Sequence, residues 1–449
     1  MIAVEKQYDT LILANRAKMR TAIEELDSIL VSKDCKFGDK ATPCFIKPFF
    51  LTEHVTRQLQ HVTSRFVSML EKVIQAYFSH PELRPIFGLT KIAAKYMDVD
   101  PGYMRNIIIA RPDGFLNGNR LEFIEFNCDS PAGAGYADIQ EQILRKCFFV
   151  RELRSQWHFR KFGRLSALLR ALVDCYHEHG GAKKHPSIAI VDWRTIRTMS
   201  EFVIIKKYFE SRGYPTVIAD PRDLRLRSGK LYAKDFRIDL VYRRAIFREL
   251  MQKQDEIGDF LKAYRLGKVC VVNPLRSRLA GNKAVLSILT NAAYEHFFTP
   301  DELKVRDKHI PWTRRVIEGK KFYGGKSIYL QKMIAENRDA LVLKPSDSYG
   351  GRDVKIGRET SKSEWTRTVE RVLKSGEHWV VQEYVRIPEM RVPILEQGRV
   401  RLVHKKINLN PFVFGGRYAG SVCRLSDQSV INVSAGGGLV PAMSCISRK

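Results

Sequence analysis

Apolar residues recur at spacings of three and four along Val55, Leu59, Val62, Phe66, Met69 and Val73, drawing one apolar stripe down a long helix. Thr52 stands where its N-cap belongs. With a second helix expected over Tyr8 to Leu30, residues 1–100 read as a helical region whose stripe faces a core. From Ser187 the period changes. Ile188 to Val191, Thr216 to Ala219, Ile238 to Tyr242 and Val269 to Val272 read as strands, with a helix from Met199 to Arg212 after the first. Strands alternating with helices imply a mostly parallel sheet. Ligands of such sheets lie past the carboxyl ends of the strands. Here those ends carry Asp192-Trp193-Arg194, Asp220, Arg243-Arg244 and Asn273, candidates for an acceptor or carboxylate pocket, although charged residues after strands also serve as solvated loops.

Between these regions lies the segment richest in candidate chemistry. Leu121 to Asn127 reads as a strand in which Glu125 and Asn127 are two apart, so the side-chain period turns both to one face. The Asn117-Gly118-Asn119 turn folds the stretch Arg105 to Phe115 back as a hairpin partner, which brings Asp113 alongside. Two carboxylates and an amide oxygen on one face are hard ligands suited to Mg²⁺. The same pattern also fits a hairpin whose acidic residues face water.

Further along, the apolar run Ala340 to Leu343 ends in Lys344-Pro345 and is followed by Ser346-Asp347-Ser348-Tyr349-Gly350-Gly351-Arg352-Asp353 and a second strand from Val354. Glycines let backbone N–H groups approach phosphate oxygens, and the lysine adds a point charge. Neither a Walker A motif nor a Gly-x-Gly-x-x-Gly turn is present, and a Gly-Gly loop alone also reads as a plain hairpin turn. Trp379 to Val385 reads as a buried strand carrying the polar pair Gln382-Glu383, which needs partners.

In chain order stand Arg111-x-Asp113, Glu125-Phe126-Asn127-x-Asp129-x-Pro131, Asn282-Lys283-Ala284-x-Leu286, Leu343-Lys344-Pro345, Val381-Gln382-Glu383 and Gly420-x-x-x-Arg424, then Asn432 and Pro441. This series resembles the ATP-grasp superfamily. Because the Glu-x-Asn strand precedes the lysine strands, it resembles the circularly permuted group, and within it the synthetase domain of glutathionylspermidine synthetase. The resemblance spans residues 105–441 and implies an α/β (α+β) ATP-grasp fold, circularly permuted; the first hundred residues match no recognised family, and with their periodicity the chain divides into four parts. These are a helical N-terminal region (1–100), the metal-ligand part of the core with following helices (101–186), an α/β substrate domain (187–280) and the nucleotide-binding lobes (281–449).

The resemblance also implies roles. Asp113, Glu125 and Asn127 would hold Mg²⁺, while Lys283 and Lys344 would contact ATP phosphates beneath Ser348, Gly350 and Gly351. Gln382, Glu383, Tyr384 and Val385 would lie along the adenine. Arg111 and Arg424 would be catalytic, facing the transferred phosphate and the acyl-phosphate oxygens. On the residues alone, Arg111 reads as a strand-edge charge and Arg424 as a sheet cap. The implied reaction is a carboxylate–amine ligation that forms an amide or peptide bond through an acyl phosphate, with release of ADP and phosphate. Two departures keep the substrates open: no amidase part stands ahead of the synthetase-like part, and Asp129-Ser130-Pro131-Ala132-Gly133 replaces the relative's Asp-Thr-Pro-Thr.

Composition adds limits. At 449 residues and 44% apolar content, the chain can bury a large core. It has no run of about eighteen apolar residues and no charged-then-apolar opening, so neither a membrane span nor a signal segment is expected. The eight cysteines include no Cys-x-x-Cys, which argues against a zinc knuckle or disulfide framework and makes the cytoplasm the expected location. Cys128, beside the metal strand, has no motif partner that would make it a nucleophile.

Charge is the unusual feature, with 76 basic against 49 acidic residues and a net +27. Such an excess favours a polyanionic partner. The basic residues are spread through 194–248, 304–326 and 391–406, and no nucleic-acid-binding motif accompanies them. The expected partners are small-molecule carboxylate and amine substrates, with weak non-specific nucleic-acid binding and no membrane. The alternatives are a substrate carried by an acidic protein or a tRNA, a nucleic-acid-binding protein, and an ATP-grasp relative without catalysis.

Overall fold

The computed structural model describes residues 2–323, 326–431 and 437–448; Asn432, and Ala435 and Gly436 of the glycine-rich stretch, lie outside them. Three sheets position the site. The largest has eight strands, in the order Phe49–Thr52, Gly438–Ser447, Arg417–Ser426, Arg399–Phe414, Ile109–Asn117, Arg120–Asn127, with Trp157–Arg160 and Glu389–Glu396 pairing alongside. An early hairpin, Ile109 to Asn127, is thereby stitched antiparallel to a strand late in the chain.

The helix Glu53–Ser79 covers this sheet, its Thr52 cap accepting from Val55 N at 3.2 Å and all six stripe residues buried. Phe66 stacks on Phe123 at 5.2 Å and meets Phe126 edge-on at 5.1 Å. Phenylalanines three apart on one strand belong on opposite faces under strict alternation. A β-bulge reconciles them: Asp113 pairs with Glu125 and Gly114 with Phe123, leaving Ile124 as the extra residue. A Cβ on Gly114 would lie 2.9 Å from the Glu122 carbonyl oxygen, so glycine is what permits the close approach.

The amino-terminal region departs from expectation in two respects. The expected single helix is two, Ala3–Ala14 and Arg16–Ser32, broken at Asn15. There the Asn15 amide donates back to Leu11 O at 3.1 Å, a bond that competes with the helical ladder. The region is also not purely helical, since Phe49–Thr52 runs parallel to Gly438–Ser447 in the main sheet.

The second sheet is wholly parallel, in the order Cys270–Val272, Leu240–Arg243, Ile188–Val191, Thr216–Ala219. The expected strand 238–242 is divided. Asp239 accepts from Ser187 N at 2.9 Å and separates Leu240–Arg243 from Phe236–Ile238, which closes a small antiparallel meander.

The third sheet is antiparallel: Thr313–Arg315, Trp379–Glu383, Leu341–Pro345, Lys355–Ile356. The helices Leu330–Glu336 and Lys362–Ser375 back it through a core of Trp365, Leu341, Leu343 and Val381. No helix among the described residues is long and apolar enough to cross a membrane, and all eight cysteines are free thiols.

Candidate active site

The hairpin 109–127, the antiparallel sheet and the 128–132 loop enclose a cavity of about 330 Å³. Arg111, Asp113, Glu125, Asn127 and Arg424 all line it. Their convergence follows from register, since Asp113 faces Glu125 and Arg111 faces Asn127 across the hairpin. Asp113 is buried, accepting from Asn410 Nδ2 at 2.9 Å and pairing with Arg424. Arg424 also donates to Asn410 Oδ1 at 3.2 Å, and its backbone N–H to Asn408 Oδ1 at 3.3 Å. Asn408 and Asn410 were missed in the sequence. The signal was there, because Ile407-Asn408-Leu409-Asn410 places two asparagines on one face of a buried strand, where each needs a partner.

Electrostatics divides the carboxyl pair. Burial pushes the Asp113 carboxyl above its ordinary range against the opposing pull of Arg424 and Arg111. Burial also opposes charge on Glu125, but Lys283 and Lys344 outweigh it and hold its pKa at about 2. Arg111 is lowered to about 10 by burial and the neighbouring Arg424. Its NH1 donates to Ala132 O, while its buried Nε lies 3.7 Å from Asp113 Oδ1 and among the described residues makes no hydrogen bond. Among the described residues no cluster of three or more His, Cys, Asp or Glu gathers. A cation here would rely on two carboxylates, the Asn127 amide and further oxygens from water or phosphate. That donor set fits Mg²⁺, and like charges crowded in a buried place favour a divalent cation between them.

On the lysine side, Lys344 is buried, donating to Gln382 Oε1 at 2.6 Å and to Ile124 O at 3.3 Å. Burial lowers its pKa to about 8. Gln382 donates to Thr313 Oγ1 at 2.9 Å, so both ends of its amide are engaged and it acts by holding Lys344. Lys283 does not line the cavity; its ammonium donates to Ser348 O at 2.6 Å and lies 3.4 Å from Glu125. Ser348, Gly350 and Gly351 line the cavity on the loop after Pro345. Gly351 has φ +72°, and a Cβ there would lie 2.3 Å from Val430 Cγ1. Asp347, on the same loop, forms an ion pair with Arg278.

Phe115, Val385 and Ile431 form a small apolar cluster with Ile124 and Ile387, separate from the three larger cores. Glu383 and Tyr384 lie beside it on the cavity wall. Glu383 accepts from Trp312 N at 3.2 Å, and Arg358 stacks 3.7 Å over the Tyr384 ring. Sequence reasoning found Val385 and missed its neighbour Ile387 and also Phe115, Ile124 and Ile431, which the fold brings to it from the hairpin and from late in the chain.

The strand-end residues of the parallel sheet do not line the cavity. Three of them clamp its wall. Arg243 donates to Asp129 at 2.6 Å, Arg244 to Pro131 O at 2.6 Å, and Asn273 to Cys128 O at 2.6 Å. Asp220 is engaged with Arg222 at 2.8 Å. Cys128 is buried, its thiol donating to Ser277 O at 2.9 Å and kept protonated by burial, which does not suit a nucleophile.

Residues 116–426 match the model of the family described as circularly permuted ATP-grasp type 2. The chain belongs to that ATP-grasp family. Its fold is shared by a glutathione synthetase-like effector from Globodera pallida, with TM-score 0.62 and 12% identity over 94% of this chain and 96% of the other. A stretch of 114 residues is 32% identical to a putative glutamate–cysteine ligase of Frankia casuarinae, covering 23% of this chain and 12% of that protein. The ATP-grasp chain thus spans only a small part of that relative's length. A D-cycloserine synthetase structure aligns over 58% of this chain and 75% of its own, at 14% identity and TM-score 0.33.

Proposed function

We propose that this protein is an ATP-dependent carboxylate–amine ligase that forms an amide bond through an acyl phosphate and releases ADP and phosphate. The observation that carries the reading is the convergence of Asp113 and Glu125 with Lys344, Arg111 and Arg424 in one cavity. Phosphoryl transfer asks the protein for positioning and charge neutralisation rather than for covalent chemistry. In this reading the apolar cluster around Phe115 and Val385 takes the adenine, the edge Glu383 to Val385 reads it, and Lys344 and Lys283 hold phosphates beneath the 346–351 loop. Mg²⁺ held by Asp113, Glu125 and Asn127 would neutralise triphosphate charge.

Arg111 and Arg424 then orient the acid's carboxylate toward the γ-phosphorus. One carboxylate oxygen bonds to phosphorus as the bond to ADP breaks. The amine next attacks the acyl carbon, inorganic phosphate departs, and the amine's surplus proton leaves with phosphate or to water. The match to a putative glutamate–cysteine ligase supports the amide-forming class. The test is a screen of acid and amine pairs for ADP release. The expected result is ADP and phosphate in equal amounts, dependent on both substrates; an absence of ATP binding together with no turnover for any pair contradicts the reading.

A further inference from the structure

One end of the cavity carries positive charge that the reaction above does not use. Arg248 follows Phe247, whose N–H donates to Asp129 at 2.8 Å, and so stands where the 128–132 loop meets the carboxyl end of the parallel sheet. Among the described residues the Arg248 side chain makes no hydrogen bond or ion pair, although it lines the cavity. Arg278 lines it too, and its guanidinium binds the Asp347 carboxylate. A carboxylate therefore already seats on Arg278, donated by an exposed aspartate of the glycine-containing loop. Burial lowers the Arg278 pKa, joined by the adjacent Arg248 and Arg243 and opposed by Asp129.

Among the described residues, pairing Arg278 with Asp347 and Arg243 with Asp129 leaves Arg248 uncompensated at this end. The group already seated on Arg278 is a carboxylate, so a carboxylate is the class of group this end accepts. We propose that the acid substrate carries a second carboxylate besides the one that is activated, and that Arg248 and Arg278 hold this second group where Asp347 now marks its place. The forked guanidinium geometry suits such two-point capture. The inference rests on the ligase reading and narrows its substrate class to dicarboxylic acids.

The test compares glutarate, succinate, L-glutamate and L-aspartate with butyrate, L-glutamine and L-asparagine as acids for ADP release by the full chain. At least one dicarboxylate should exceed its monocarboxylate partner in kcat/KM by about ten- to a hundredfold, the worth of a charged hydrogen-bonded contact. Arg248→Ala should erase that preference by raising the KM for the dicarboxylate while leaving the KM for ATP unchanged. Arg248→Lys should restore part of it, and Asp347→Asn should lower the same KM by removing the competing carboxylate. Equal use of mono- and dicarboxylates, or an Arg248→Ala defect confined to ATP, overturns the proposal. If no acid elicits ADP the ligase reading itself fails, and calorimetry with glutarate decides the subsite separately: binding lost in Arg248→Ala upholds it, and binding absent or unchanged overturns it.

Discussion

Asp113 and Glu125 sit directly opposite each other across the hairpin, one carboxyl pushed above its ordinary range and the other held at about 2. Their surroundings differ, so their substitutions should differ. Asp113→Asn removes the counter-charge of the half-buried Arg424 and should cost about 3 kcal/mol or more of stability, as expected when one partner of a buried pair is lost. Glu125→Gln removes the counter-charge of the buried Lys283 and Lys344 and should also destabilise, by about 1–3 kcal/mol, whereas Asn127→Ala should stay within about 1 kcal/mol of wild type. All three should lower turnover by about two orders of magnitude or more. Denaturant unfolding and steady-state rates check both halves, and full activity in the three variants removes the metal assignment.

Lys344 predicts a pH dependence. With its pKa lowered to about 8, the free protein loses this ammonium as pH rises through that value. A bound triphosphate favours the charged form, so its contribution to ATP affinity is present below about pH 8 and fades above it. The Kd for ATP should rise nearly tenfold per pH unit beyond that point, with proton uptake on binding visible as a buffer-dependent calorimetric heat. In Lys344→Arg, which stays charged, the dependence should flatten. A wild-type affinity constant from pH 7 to 10 contradicts this role.

The bulge makes a further prediction. Gly114→Ala forces a methyl group against the Glu122 carbonyl, so the hairpin must shift and carry Asp113 with it. Stability should fall by about 1–3 kcal/mol, and kcat should fall beyond what the lost stability explains. A rate unchanged at a temperature where the variant is fully folded means that the bulge does not set the carboxylate geometry.

Much of this architecture was legible in the chain. The long stripe from Val55 to Val73, the four parallel strands and the hairpin turn at Gly118 each follow from local periodicity, and the order of the motifs led to the permuted ATP-grasp family. What local pattern hid was non-local or irregular. The break at Asn15 depends on one side chain bonding its own helix, and the bulge at Ile124 became visible only because Phe123 and Phe126 both meet Phe66. The site divided in the same way. Asp113, Glu125 and Lys344 lie on strands whose ends can be read, whereas Asn410 beneath Asp113 and Arg248 at the cavity's end depend on sheet order and on a loop docking over it.

The net charge of +27 predicts weak, sequence-indifferent binding to duplex DNA or RNA, collapsing between about 50 and 200 mM salt as counterion release is suppressed. Filter binding across that range checks it. A particular transfer RNA that binds tightly at the upper end and stimulates ADP release would make an RNA-linked substrate the better reading.

The central claim is that a carboxylate is activated by phosphoryl transfer in the cavity around Asp113, Glu125 and Lys344. The most direct measurement replaces the amine by hydroxylamine during turnover with an accepted acid and follows both hydroxamate and nucleotide. The account predicts hydroxamate in step with ADP and phosphate, with both lost in Glu125→Gln. Hydroxamate accompanied by AMP and pyrophosphate, or ADP formed with no trapped acid, contradicts it.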